Sequence, residues 1–197
     1  MTGATIRVAT ETDAPALLAI YAPVVRTSAI TFEYEPPSVA EFAERVRTVA
    51  SRWPWLVYDT ADGVRGYAYG TTWRARAAYQ WSVETTVYVH DDARRRGVGR
   101  AVYRSLLACL RVQGYRMALG AITLPNEASV GLHETLGFRL AGVHRACGHK
   151  LGRWHDVGMW ERELAPRVDA GPPAPRTPDA LAGTRAWDVA VASGLSD

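Results

Sequence analysis

Apolar and polar positions along the 197-residue chain change period several times, and each change marks an element. Residues 6–9 alternate over a short strand, after which Thr12 or Asp13 can cap a helix carrying Leu17, Leu18, Ile20 and Tyr21. Pro23 has no N–H to donate and is expected to bend or end that helix. Ser38 and Glu41 have the spacing of a capping box, and Phe42, Val46 and Val49 follow at helical intervals. This predicts a second helix over 38–51, with Arg45 and Arg47 facing water. Residues 56–59, a turn at 61–63 and residues 64–72 then read as an antiparallel hairpin, and 80–90 as a long strand.

A glycine-spaced turn leads into the next helix, which runs to about Gln113 with Val102, Leu106, Cys109 and Leu110 as its apolar stripe and Gly114 as its stop. Residues 117–123 predict a strand, Pro125 and Asn126 open a helix ending at Gly137, and 138–146 and 154–164 predict two closing strands. The order is that of a mixed α/β domain over residues 1–165. Beyond Ala165, five of the 11 prolines fall between Pro166 and Pro178 with few large apolar residues beside them. Residues 166–197 are therefore expected to form a disordered Pro/Ala-rich tail, in which only 187–191 has the makings of a short docking strand.

Composition adds mainly exclusions. A domain of this length buries a core without disulfide or metal staples, and no apolar run approaches the roughly 20 residues that cross a bilayer. The formal net charge is +3, with arginines scattered among acids. A solvated arginine-rich surface explains that charge better than a nucleic-acid interface. The amino-terminal segment lacks the basic-then-apolar layout of an export signal, so a cytoplasmic protein is expected. Cys109 and Cys147 have no CxxC spacing and are expected as packing residues. His144 and His149 have no carboxylate or cysteine at zinc-site spacing, and no metal is implied.

The stretch from Val87 to Gly99, VYVHDDARRRGVG, carries the most specific chemistry. Arg94, Gly97 and Gly99 form an RxxGxG pattern, which leaves small residues where a backbone approaches a ligand and points free N–H groups at it from a helix start. Pyrophosphate fits such a site. Strand period puts Glu84, Thr86 and Tyr88 on one face and Thr85, Val87 and Val89 on the other, so the first face is the candidate pocket lining. His133 follows Asn126 by seven residues, two helical turns, and shares its face. Arg74 and Arg76, two apart on an extended segment, point to one side and can each grip an oxyanion, although exposed loop arginines are the ordinary alternative. His155 and Asp156 can bond to each other or fix a strand entry.

Strand, RxxGxG turn, helix, strand, then an Asn-led helix ending in Gly-Phe: this order resembles the GNAT superfamily of N-acetyltransferases. The stretches WPWLV from Trp53, WRARAAYQW from Trp73, ETTVYV from Glu84, LPN from Leu124 and WHDVG from Trp154 narrow the similarity to the phosphinothricin N-acetyltransferase family over about residues 6–164. The resemblance implies the GNAT acyl-CoA N-acyltransferase fold, a mixed central sheet with two splayed strands flanked by helices. It also implies acetyl-CoA as co-substrate and direct transfer, in a ternary complex, to the α-amino group of a small amino acid such as phosphinothricin or methionine sulfoximine or sulfone.

By the same resemblance, acetyl-CoA is held at Val87, Tyr88 and Val89, at Arg94, Arg95, Arg96, Gly97, Val98, Gly99 and Arg100, and at Asn126, whose side chain can also simply cap its helix. Glu84 is expected as the general base, His133 as a second proton-transfer residue and Tyr103 as an alternative acid, with the acid and base roles of Glu84 and His133 interchangeable. The acceptor pocket is expected from Phe32, Arg74, Arg76, Tyr79, Thr86 and Tyr88. Many GNAT enzymes carry tyrosine where His133 stands, and the family often has lysine at Arg74, an exchange expected to alter head-group preference. A homodimer with a small-molecule acceptor and neither nucleic-acid nor membrane partner is implied. Rival readings are acetylation of a polyamine, aminoglycoside or protein amine, which sets a cation against Arg74 and Arg76, and a non-catalytic CoA-binding module, which leaves Glu84 and His133 without a task.

Overall fold

The computed structural model describes residues 3–168 and 171–196. Its strands are β1 (Thr5–Val8), β2 (Trp55–Thr60), β3 (Gly63–Thr72), β4 (Ser82–Val89), β5 (Met117–Leu124), β6 (Arg139–Lys150) and β7 (Arg153–Glu163). They form one sheet in the order β1-β2-β3-β4-β5-β7-β6. The β4–β5 pair is parallel and the rest are antiparallel. The helices are α1 (Ala14–Thr27), α2 (Val39–Ala50), α3 (Val98–Gln113), α4 (Glu127–Thr135) and α5 (Arg185–Ala192).

Helices cover both faces of the sheet, which explains why β2 reads as an unbroken apolar run instead of an alternating one. Trp55 and Val57 join Leu17, Tyr21, Phe42 and Val46 beneath α1 and α2. Leu56 and Tyr58 turn the other way, to Val102, Leu106 and Leu110 of α3. The expected punctuation of the helices is present. Ser38 and Glu41 form their reciprocal cap at the start of α2, with Ser38 N donating to Glu41 Oε2 (2.7 Å) and Glu41 N donating to Ser38 Oγ (3.2 Å). Gly97 and Gly114 flank α3 in the left-handed region, at φ 83° and 101°.

Three expectations need correction. Helix α1 runs through Pro23 to Thr27, with the ring exposed on the solvent side, where loss of one backbone bond leaves no buried carbonyl stranded. Arg45 does not simply face water: its guanidinium pairs with Glu33 (2.8 Å) and lies over the Tyr21 and Phe42 rings, sheltering one corner of the α1–α2 core.

The larger correction concerns the tail. Residues 171–196 are ordered against the domain, and the stretch from Trp187 lies in helix α5, not in a strand. Leu181, Trp187 and Ala190 are buried in the α3 core. Trp81 Nε1 donates to Pro173 O (3.0 Å), Gln113 Nε2 to Arg176 O (2.7 Å), Ser105 Oγ to Val191 O (2.6 Å) and Arg104 Nη1 to Ser196 O (3.0 Å). The segment needs no core of its own because it completes that of its neighbour. Asp169, Ala170 and Asp197, within the same expected tail, lie outside the described residues.

Replacing Trp187 with alanine is therefore expected to lower unfolding stability by about 3 kcal/mol, the cost of a large buried side chain. Urea denaturation measures it, and a change within error of zero would detach the tail from the core.

Candidate active site

Strands β4 and β5 pair only where Ser82, Val83 and Glu84 face Met117, Ala118 and Leu119. Both then continue to Val89 and Leu124 without pairing again, and a cavity of about 270 Å³ opens between them. All of residues 84–88 line it from β4, Thr85 and Val87 included, so the lining is not confined to the face expected; Ile122 lines it from β5, Thr31 and Phe32 from the loop after α1, and Asn126 and His133 from the start and last turn of α4. The β5-facing edge of residues 85–89 has no strand partner, so its main chain can pair with an extended amide-bearing ligand.

At the end of β4 the chain turns into α3. Arg95 (φ 59°) and Gly97 (φ 83°) both lie in the left-handed region, where glycine carries no steric cost. No side chain caps α3, and its first helical main-chain bond is Ala101 N to Gly97 O. The N–H groups of Val98, Gly99 and Arg100 thus have no partner within the helix and point out along its axis. Gly99 has a packing reason: a Cβ there would stand 3.2 Å from Val89 Cγ2 and 3.5 Å from Leu132 Cδ2. Arg94 pairs with Asp91 (2.6 Å), which ties the turn to its own start. Free amides between exposed arginines fit a diphosphate, and the open strand edge beside them fits an amide-bearing arm.

Glu84 stands at the point where the strands part. It has neither an ion-pair nor a hydrogen-bond partner among the described residues, and burial pushes its carboxyl above the usual range. His133 lies on the other side of the cleft floor, over the bare Cα of Gly120, where a Cβ would come within 2.7 Å of Nε2. Its Nε2 meets the Tyr103 hydroxyl at 2.9 Å and its Nδ1 the Ser129 carbonyl at 2.7 Å. Burial lowers the imidazole pKa and raises that of Tyr103. Tyr103 is fully buried, not a surface residue of an amphipathic helix. Asn126 caps α4, accepting from Ser129 N at 3.1 Å, while also lining the cavity, so both roles expected of it coexist.

Of the acceptor residues expected, Phe32, Thr86 and Tyr88 line the cavity and Arg74, Arg76 and Tyr79 do not. The last three sit in an exposed bend and a short 3-10 turn, Ala77–Tyr79, in place of the extended segment expected. Arg74 stacks over Trp73 and Tyr79. His155 and Asp156 do not bond to each other: His155 Nε2 meets Lys150 O (3.0 Å), and Asp156 accepts from Ala146 N and Arg145. Cys109 is buried as expected, whereas Cys147 is exposed on β6 and packs nothing.

Two residues of consequence lay outside the sequence-based expectations. Lys150, the chain's single lysine, is buried, and its ammonium donates to Val25 O (2.6 Å) and Thr31 O (2.8 Å), pinning the loop after α1 to the β6–β7 hairpin. Its being the lone lysine among arginines was the only available signal. Thr85, on the face opposite the expected pocket lining, is buried with its hydroxyl between Tyr103 and Leu119 O.

Residues 6–160 match the family model of the acetyltransferase (GNAT) domain. The chain belongs to that family. It is 42% identical over 159 residues to phosphinothricin N-acetyltransferase of Streptomyces viridochromogenes, spanning 81% of this chain and 87% of that protein. It is 36% identical over 169 residues to L-methionine sulfoximine/L-methionine sulfone acetyltransferase of Pseudomonas aeruginosa, spanning 85% and 98%. The crystal structure of a phosphinothricin acetyltransferase from Sinorhizobium meliloti in complex with AcCoA superposes with a TM-score of 0.83 at 34% identity, covering 90% of this chain and 97% of that one.

Replacing Lys150 with methionine keeps the bulk and strands two carbonyls. We expect a loss of about 1–3 kcal/mol in stability, with acceptor KM raised severalfold and acetyl-CoA KM held. Equal changes in both KM values would show that the lysine does not act through the loop after α1.

Proposed function

We propose that this protein transfers the acetyl group of acetyl-CoA to the α-amino group of a small amino acid with a phosphinic, sulfoximine or sulfone head, phosphinothricin being the leading candidate. The observation that carries this reading is Glu84: a carboxylate unpaired among the described residues, its basicity raised by burial, at the parting of two strands and across from a buried imidazole. The similarity to enzymes named for these acceptors, spread over most of the chain, supports the substrate class.

Acetyl-CoA, when bound, supplies an acetyl group activated as a thioester. The amides of Val98, Gly99 and Arg100 would hold its diphosphate between Arg95 and Arg96, with the main chain of Val87, Tyr88 and Val89 along its arm and Asn126 at the helix start opposite. Glu84 takes the proton of the acceptor ammonium, directly or through a water, and leaves a neutral amine. His133 and Tyr103 hold a proton on the opposite side of the cleft. Direct transfer fits the cysteines: burial pushes the Cys109 thiol up to about 12, and Cys147 does not line the cavity. Phe32, Thr86 and Tyr88 form the acceptor wall, and Arg74, Arg76 and Tyr79, on their loop, supply cations and a ring for the anionic ends of the substrate. We read the protein as a cytoplasmic homodimer. Among the described residues no helix is long and apolar enough to cross a membrane, and Leu151 and Trp154 expose apolar surface at the β6–β7 hairpin.

Thiol release from acetyl-CoA, followed with phosphinothricin, methionine sulfoximine, methionine sulfone and spermidine in parallel, tests the acceptor class. Activity with the three amino acids is expected, and activity with spermidine alone refutes the class. Arg76→Ala is expected to raise acceptor KM by about tenfold or more, and unchanged acceptor kinetics would remove Arg76 from the site. Glu84 accepts a proton only as carboxylate, so kcat/KM should fall as pH drops through its raised pKa, at higher pH than for a free carboxyl group. Glu84→Gln should remove that limb and cost about 10²–10⁴ in rate. A variant that keeps both limb and rate would dismiss the residue as base.

A further inference from the structure

Four contacts run in single file through the cleft floor. The Ser129 carbonyl meets His133 Nδ1 (2.7 Å), His133 Nε2 meets the Tyr103 hydroxyl (2.9 Å), that hydroxyl meets Thr85 Oγ1 (2.7 Å), and Thr85 Oγ1 meets the Leu119 carbonyl (2.8 Å). Both ends are main-chain oxygens, which accept and never donate. Each contact needs one hydrogen between its heavy atoms. A neutral imidazole brings one, Tyr103 one and Thr85 one, which leaves one contact empty. An imidazolium brings the last: His133 then donates from both nitrogens, Tyr103 donates to Thr85, and Thr85 donates to Leu119. The Ser129 hydroxyl lies 3.4 Å from Nδ1, too far to compete with the carbonyl.

We propose that Thr85 is a positioning residue: committed to the Leu119 carbonyl, its oxygen receives the Tyr103 proton and so turns a Tyr103 lone pair toward His133, letting the buried imidazole hold a second proton with every partner satisfied. Thr85 touches His133 only through Tyr103. Burial of the ring opposes the charge, and the completed file offsets it. The groups facing this imidazole are few. Tyr103 comes from α3, the Phe138 ring packs edge-on beside it, and β5, which carries no titratable side chain, places Gly120 beneath it. Glu84 of β4 and Arg162 of β7 act through space on the Tyr103 hydroxyl. The inference concerns a proton of the resting protein, and rests on the acetyltransferase reading only for its consequence, a proton kept at His133 Nε2 beside the reacting groups.

Thr85→Val inverts the arithmetic. With no acceptor at residue 85, the Tyr103 proton goes to Nε2, and a neutral ring donating from Nδ1 to Ser129 is then fully satisfied. The imidazole NMR signals of His133, followed against pH in the protein without substrates, read the effect. We expect the valine variant to bind the His133 proton at least about tenfold more weakly, a downward shift of about one pH unit, and Thr85→Ser to restore the wild-type titration. A valine variant that titrates like wild type, or a serine variant that titrates like valine, overturns the proposal. The wild-type spectrum gives a test that does not depend on the variants folding: the neutral ring should carry its proton on Nδ1, and a neutral ring bare at Nδ1 overturns the proposal. A protein that shows the shift yet acetylates none of the amino acids offered would sink the acceptor reading and leave this one standing.

Discussion

Everything in this molecule that bears on chemistry follows from two parallel strands that pair for three residues and then part. Pairing along the whole of β4 and β5 would consume the edge groups of both strands and close the cavity. Separation leaves a main-chain edge free where the strands end, and in an α/β sheet the crevice at the carboxyl ends of parallel strands is also where the following helices begin. Here both do: α3 starts after β4 with bare amides, and α4 starts after β5 with Asn126 as its cap. One break in a hydrogen-bond ladder thus brings together an uncapped helix start, an open backbone edge and the two elements that carry Glu84 and His133.

The cleft is shaped by packing on one side and fixed by hydrogen bonds on the other. Gly120 has no side chain where the imidazole of His133 sits, and Gly99 has none where α3 meets Val89 and Leu132. On the acceptor side, the Lys150 ammonium gathers two carbonyls from the end and loop of α1, and the Tyr21 hydroxyl bonds Thr31 Oγ1 at 2.9 Å. Thr31 and Phe32 therefore face the cleft from a loop fixed at both main chain and side chain. Glu84 is the exception, with no ion-pair or hydrogen-bond partner among the described residues and in partial burial, which is the environment that makes a carboxylate a better base.

The carboxyl-terminal segment belongs to the same design. It closes on α3 at Arg104 and Ser105, beside Tyr103, with Gly194 N donating to Ser105 Oγ at 3.0 Å. Helix α3 carries the glycine turn at its start and Tyr103 in its second turn, so the strap braces the helix that presents both.

Much of this was legible in the residues. The alternation of β4 assigned Glu84, Thr86 and Tyr88 to one face, the glycines of the turn announced an uncapped helix start, and the seven-residue spacing of Asn126 and His133 put them on one helical face, because these are properties of backbone period and steric freedom that each segment carries alone. Partnership was not legible. That Tyr103 is buried against His133, that Thr85 closes the file at Leu119, that Lys150 reaches back to α1, and that a helix forms beyond the proline-rich stretch all depend on which surfaces distant segments present to one another. Arg74 and Arg76 show the limit from the other side: their spacing was read on an extended segment, and the chain there forms exposed bends and a short 3-10 turn instead. The sequence by itself determined elements, faces and the chemistry within each stretch; the tertiary structure alone decided which buried polar groups complete one another's hydrogen bonds, since that pairing is a property of the assembled core and of no segment within it.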